Sequence, residues 1–181
     1  VLVFDVETNG LLNTKRALPK LEDCPYVLQL SYAMYDLTHK RLLKTVDSYI
    51  NIPDSVVIPE EASKVNGITK GMCQSGYPME AVLKEFYHDY HKSNCIVAHN
   101  YKFDSTMLNI EFQRHWSSMY VSHPYAMNLF NRTYMRNRWM HYKCTMMDST
   151  EVCKLAHARP PKEGKPQTFK WPTLVELHKH L

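Results

Sequence analysis

The first seven residues constrain this chain more than any other stretch. Val1-Leu2-Val3-Phe4 is an unbroken β-favouring apolar run, the pattern of a central strand, and it leads directly into Asp5-Val6-Glu7. Side chains two apart on a strand point to the same side, so Asp5 and Glu7 project together from the strand's end. Two carboxylates about 4 Å apart at an effective dielectric near 20 repel by about 4 kcal/mol. Such a pair persists where a cation compensates or where one acid takes a proton. Hard oxygen ligands with partly open coordination suit Mg²⁺ or Mn²⁺. An acidic pair closing a strand is more often a solvated turn, so its meaning depends on what converges with it.

The remaining periodicity supplies a frame. Tyr26 to Asp36 alternates, with Leu28, Leu30, Tyr32 and Met34 on one face. Leu37 to Lys40 reads as a turn into a third strand over 42–50. Pro59-Glu60-Glu61 opens a short helix that Gly67 can end. Met79, Val82, Leu83, Phe86 and Tyr90 keep helical spacing behind Pro78. Cys95 to Ala98 is a short buried strand, 104–116 a helix, and another strand is expected over 145–147. Asp148 and Glu151 fit an N-cap and its reciprocal partner. The stretch 117–142 has no clear period, and 158–170, rich in Pro and Lys, reads as a surface excursion. Pro172 opens a last helix with Leu174, Leu177 and Leu181 on one face. Three strands, then helices alternating with two more, predict an α/β fold with a mixed five-stranded sheet and flanking helices.

Asp104 supplies a third acid. Leu108 and Phe112 follow it at helical spacing, which puts it on the core-facing stripe. Alone it would read as a helix cap. Joined to Asp5 and Glu7 at neighbouring strand ends, it completes a set suited to two metal ions, one activating water and one stabilising the leaving oxygen.

Composition narrows the classes. With 181 residues and 44% hydrophobic content, the chain can bury the core of one soluble domain. No apolar run approaches the roughly 20 residues of a membrane span, and no signal peptide is visible. The formal net charge of +4 permits a polyanionic partner without requiring one. Five cysteines without a C-x-x-C pair read as reduced thiols of an intracellular protein. His88 and His91 stand three apart on a predicted helix, but no second ligand pair is near in sequence, so zinc is not indicated.

Val3-Phe4-Asp5-Val6-Glu7-Thr8-Asn9-Gly10-Leu11 resembles the first motif of DEDDh-type exonucleases, the DnaQ-like proofreading family on a ribonuclease H-like fold. Ala98-His99-Asn100-Tyr101-Lys102-Phe103-Asp104 resembles the second motif. Val65-Asn66-Gly67-Ile68-Thr69 resembles a shared element of the nucleotide pocket, and Lys170-Trp171-Pro172-Thr173-Leu174 with Leu177 the helix that leads to the last motif. The resemblance implies a three-layer ribonuclease H-like fold. It also implies a 3′→5′ exonuclease that hydrolyses phosphodiester bonds at nucleic-acid 3′ ends with two divalent cations, Mg²⁺ or Mn²⁺, releasing nucleoside 5′-monophosphates. Asp5, Glu7 and Asp104 would be the catalytic metal ligands. Thr8, Gly10 and Leu11 would meet the terminal nucleotide, Leu11 against its base. His99 and Asn100 would brace the loop presenting Asp104, with Phe103 packed beneath. The implied partners are single-stranded DNA or RNA 3′ ends and a polymerase, with no membrane.

Two features depart from the family. Asn66 stands where the family carries His, although Asn can still donate a hydrogen bond. The last motif, H-x-A-x-x-D, with its general-base His and a fourth metal-binding Asp, is absent. Residues 1–181 are therefore expected to be an exonuclease domain incomplete at its C-terminus and weak or inactive alone. Asp148 and Glu176 are poor substitutes for the fourth ligand. A non-catalytic nucleic-acid- or partner-binding module on the same fold is the alternative, against which three converging acids count. Two basic stretches could touch substrate. One is Lys15, Arg16 and Lys20; the other is Arg132, Arg136, Arg138 and Lys143, interleaved with Tyr134, Trp139 and Tyr142. For the second, a solvated insertion with packed aromatics is the plainer reading.

Overall fold

The structure, a computed structural model, describes residues 1–12, 20–157 and 168–181. Its strands are β1 (Leu2–Thr8), β2 (Val27–Asp36), β3 (Arg41–Asn51), β4 (Tyr77–Pro78), β5 (Cys95–Ala98) and β6 (His141–Cys144). Its helices are α1 (Glu60–Asn66), α2 (Lys70–Gln74), α3 (Met79–His91), α4 (Tyr101–Arg114), α5 (Trp116–Met119), α6 (Arg132–Asn137), α7 (Thr145–Asp148), α8 (Thr150–Cys153) and α9 (Leu174–His180). The sheet runs β4-β3-β2-β1-β5-β6. β1, β2 and β3 form an antiparallel meander, and β5 and β6 join it in parallel. The architecture is α/β with a mixed sheet and flanking helices, as expected. The sixth strand is the two-residue β4, which pairs with the end of β3. No pattern in two residues could announce it, and Pro78 is tolerated there because the strand is an edge.

β1 alternates: Leu2, Phe4, Val6 and Thr8 are buried, whereas Val3 is 44% exposed. The buried side meets Leu28, Leu30, Tyr32 and Met34 of β2 beneath α3 and α4. Phe86 of α3 packs edge-on against Phe4 at 5.7 Å and against Tyr32 at 5.5 Å. Burial of such rings is worth roughly 1.5–3 kcal/mol each. Asp89, almost fully buried, is compensated by the Tyr32 hydroxyl at 2.8 Å, Lys92 Nζ at 2.8 Å and Lys44 Nζ, which ties α3 to β2 and β3. β1 is thus covered by helices on one face and leaves Val3, Asp5 and Glu7 on the other.

Three expectations are corrected. The strand placed over 145–147 lies at His141–Cys144 instead, and Thr145–Asp148 is helical. Pairing with β5, from Cys95↔His141 to Ala98↔Cys144, sets those bounds. Asp148 caps nothing: it closes α7, and α8 begins behind Ser149 with no side-chain cap. α4 begins at Tyr101, so Asp104 lies within its first turn. The unpatterned stretch buries Met119, Ala126, Leu129, Met135 and Met140 through short turns and helices, which no single period describes. His88 Nε2 lies 3.4 Å from His123 Nε2, while His91 is held by Tyr87 O and Tyr134.

One glycine is sterically required. A Cβ on Gly76 would stand 2.5 Å from Tyr49 O and 2.9 Å from Ile50 C, backbone atoms of β3 that cannot swing aside. Gly76→Ala is expected to cost about 1–3 kcal/mol, the range of overpacked sites. Urea unfolding checks this, and an unchanged midpoint would remove the close approach as a determinant.

Candidate active site

The site forms where β5 stops and β1 continues. β5 pairs with β1 only through Leu2↔Ile96 and Val3↔Val97, whereas β2 follows β1 to Thr8. The later backbone groups of β1 on that side therefore lack a strand partner. Val6 N–H donates to Asp104 Oδ1 at 3.2 Å, so the α4 acid takes the place of a ladder bond. Asn100 makes this turn possible. It precedes α4 at φ 69 and ψ 47, a left-handed conformation that Asn tolerates better than most residues. The reversal turns the first helical turn back toward β1.

The three acids share one electrostatic environment. Asp104 is 2% exposed; burial and then the Asp5 charge push its carboxyl up to about 7. The protein around Asp5 raises its carboxyl too, partly offset by His99. Glu7 is raised by desolvation and then by Asp5, with relief from a hydrogen bond to Asn66. Asp104 Oδ2 is buried and has no hydrogen-bond partner among the described residues. An orphaned, desolvated carboxylate oxygen beside two further acids is costly unless a cation takes it. The donor set fits a hard divalent cation with oxygen ligands. Among the described residues no group of three or more His, Cys, Asp or Glu side chains is placed to hold a metal ion as it stands, so the fit is one of donor chemistry.

The surrounding residues divide into bracing and presenting groups. His99 Nε2 donates to Pro172 O at 2.9 Å, since a carbonyl can only accept. In the neutral ring Nδ1 then accepts from Thr145 Oγ1 at 3.0 Å. Both nitrogens are committed, and His99 ties the loop before Asp104 to the start of α7 and to the chain leading into α9. Phe103 is half-buried against the core. Thr8 Oγ1 donates to Gly10 O at 2.7 Å, and Asn9 joins Val57 O to Tyr26 N, which fixes the turn after β1. That turn leaves Leu11 85% exposed, so its side chain offers an apolar surface rather than a core contact. Asn66 Nδ2 donates to Thr8 O at 3.2 Å, joining α1 to the end of β1 beside Glu7.

Thr145 and Pro172 were not among the sequence-derived site residues. Pro172 was signalled only as the start of the last helix and as part of the stretch resembling the helix that leads to the last motif, and nothing marked Thr145 as a site residue. Glu176 is used elsewhere. It completes a capping box with Thr173, and Lys170 Nζ at 2.5 Å lowers its carboxyl to about 2. Asp148 lies 3.9 Å from Lys143 on the surface. Lys20 faces Glu22 at 3.4 Å, while Lys15 and Arg16 lie outside the described residues. A cavity of about 840 Å³ lies elsewhere, by Glu111 and Arg114. Those two groups are bound to each other and to the backbone of Leu21, Cys24, Pro25 and Val27, so they buttress the start of β2.

The profile of the RNase_T exonuclease family matches residues 2–145, a span that holds all three acids. The chain belongs to this exonuclease family. The exonuclease chain is also similar to the PolC-type DNA polymerase III of Streptococcus sanguinis (strain SK36), 28% identical over 114 residues, 63% of this chain and 7% of that protein. The Streptococcus suis (strain 98HAH33) counterpart is 27% identical over 113 residues, 62% and 7% of the two chains. Among solved structures, exonuclease I in its apo form superposes with TM-score 0.67 at 16% identity, over 99% of this chain and 36% of that one. E. coli exonuclease I in complex with a dT13 oligonucleotide gives 0.65 at 16%, over 99% and 35%. These structures share its ribonuclease H-like fold. The chain thus spans about a third of exonuclease I and a small part of the polymerases. No described helix is long and apolar enough to cross a membrane.

Proposed function

We propose that this exonuclease domain removes nucleotides from the 3′ ends of single-stranded DNA or RNA with two divalent cations, Mg²⁺ or Mn²⁺. The observation that carries this reading is Asp104 Oδ2, buried and unpartnered beside Asp5 and Glu7. Asp5, Glu7 and Asp104 would hold the cations, which when bound supply Lewis-acid activation of water and stabilise the leaving oxygen. Thr8, Gly10 and the exposed Leu11 receive the terminal nucleotide, Leu11 against its base. Asn66 holds the end of β1 beside Glu7, and Asn100 and His99 fix the approach of Asp104. Release of nucleoside 5′-monophosphates requires that water attack phosphorus and the P–O3′ bond break, leaving a 3′-hydroxyl on the shortened strand. The relatives support the substrate class: one exonuclease I structure carries dT13, and the PolC proteins are DNA polymerases, which makes a polymerase the favoured partner.

His99 is a brace and not the base that takes the proton of the attacking water, because both its nitrogens are committed. The factor of about 10²–10⁴ that a general base supplies therefore does not come from His99. The test uses 5′-labelled single-stranded DNA and RNA with excess protein, in Mn²⁺ and in chelator. Expected is a ladder that shortens from the 3′ end in Mn²⁺ only. Digestion that continues in chelator, or that removes the 5′ label first, would overturn the proposal.

A further inference from the structure

The stretch from α6 through β6 collects cations and aromatic rings that the metal site does not use. Arg132 and Arg136, four apart on α6, line an open cavity of about 760 Å³ together with Trp139 and Tyr142. None of the described residues lining it is acidic, and neither arginine has an ion-pair partner among the described residues. Trp139 is 82% exposed. Its backbone is also unusual: Trp139 N donates to Arg136 O and Met140 N to Met135 O, which makes Trp139 the left-handed residue of a Schellman helix end, at φ 56. Glycine is the usual occupant there, because a side chain is disfavoured in that conformation. A bulky ring that gains no burial at a position suited to glycine is not explained by the fold. Tyr142 stacks one face on Tyr101 at 4.7 Å and 20°, and remains 41% exposed. Arg138 is different: it lies over the Tyr134 ring at 5.7 Å, outside this cavity.

We propose that this cavity is a second contact for single-stranded nucleic acid, in which Arg132 and Arg136 hold phosphates and Trp139 and Tyr142 stack unpaired bases upstream of the 3′ end. The proposal rests on the exonuclease reading above. Cations aligned with exposed rings are what a single strand of any sequence requires. Tyr142 is three residues before Thr145, whose hydroxyl meets His99. Tyr142 is also paired with Ile96 and, through it, is level with Leu2, three residues before Asp5 and two strands away. At about 3.3 Å per residue and about 4.8 Å per strand, Asp5 is about 14 Å away, or roughly four stacked nucleotides at about 3.4 Å each. The contact therefore engages strands longer than about four nucleotides and leaves shorter ones unaffected.

The test is fluorescence anisotropy with labelled dT4 and dT12 in chelator, where no digestion occurs. Trp139→Gly removes the ring while relieving the backbone, so its melting temperature should not fall. It should weaken dT12 binding about tenfold, within the range for loss of one stacked base. Arg132→Ala with Arg136→Ala should weaken dT12 and reduce the log–log salt slope by about 1.4, near 0.7 per lost phosphate contact. Arg138→Ala should match wild type, as should every variant with dT4. Unchanged dT12 affinity and slope in the variants would overturn the second contact alone. Equal losses for dT4 and dT12 would also overturn it, because the cavity would then serve the 3′ end itself. Wild type that binds neither length would overturn the exonuclease reading as well.

Discussion

Asp5→Asn and Glu7→Gln are each expected to reduce metal-dependent nucleotide release at least about 10²-fold. The two acids leave β1 on one face beside Asp104; Glu7 senses the charge of Asp5, and Asp104 senses both. Replacing either carboxylate by an amide preserves side-chain volume and removes a charged metal ligand. Displacement of the reacting groups by about 1 Å alone costs about 10²-fold. Strand binding in chelator should persist, since it depends on the turn at Thr8 to Leu11 and on the basic surface. A single-turnover time course on end-labelled strands measures the first effect and anisotropy the second. Variants that digest at the wild-type rate would exclude these acids from catalysis.

The metal-free protein is expected to lose stability as pH rises from about 4 to 7, and Asp104→Asn should abolish most of that loss. The Asp104 carboxyl is raised from 3.8 to about 7 in the folded state. A carboxyl raised on folding binds its proton more tightly in the native chain, so its contribution is intact below the unfolded value and is lost as pH passes the folded one. Three units correspond to at most about 4 kcal/mol. Asp5 and Glu7 are raised too and act with the same sign. At pH 8, Asp104→Asn should therefore melt higher than wild type without metal. Its amide oxygen can still accept from Val6 N–H, so the strand contact is retained. Mn²⁺ at a hundred times its dissociation constant adds about 2.7 kcal/mol, roughly 5–10 °C for a chain of this size, and the variant should show none of it. Melting curves at pH 5 and pH 8 with and without Mn²⁺ decide the matter. A wild type more stable at pH 8 than at pH 5 without metal would contradict the buried, uncompensated acid.

Much of this protein is local in origin. Alternation within β1 and β2 determines which side chains meet α3 and α4, because successive strand residues point to opposite faces. The same rule puts Asp5 and Glu7 together on the face away from those helices, and the two motifs mark the family without any tertiary information. Longer-range facts depended on the assembled chain. β4 exists only because β3 is beside it, and β6 begins at His141 because β5 fixes its register. His99 is a brace because Pro172, 73 residues away, presents a carbonyl to it. Asp104 has a raised pKa because β5 ends early enough for it to reach Val6, where it is buried beside the charges of Asp5 and Glu7. The residue types that can bind a cation are written in the sequence, but their desolvation and mutual repulsion arise only when packing brings them together.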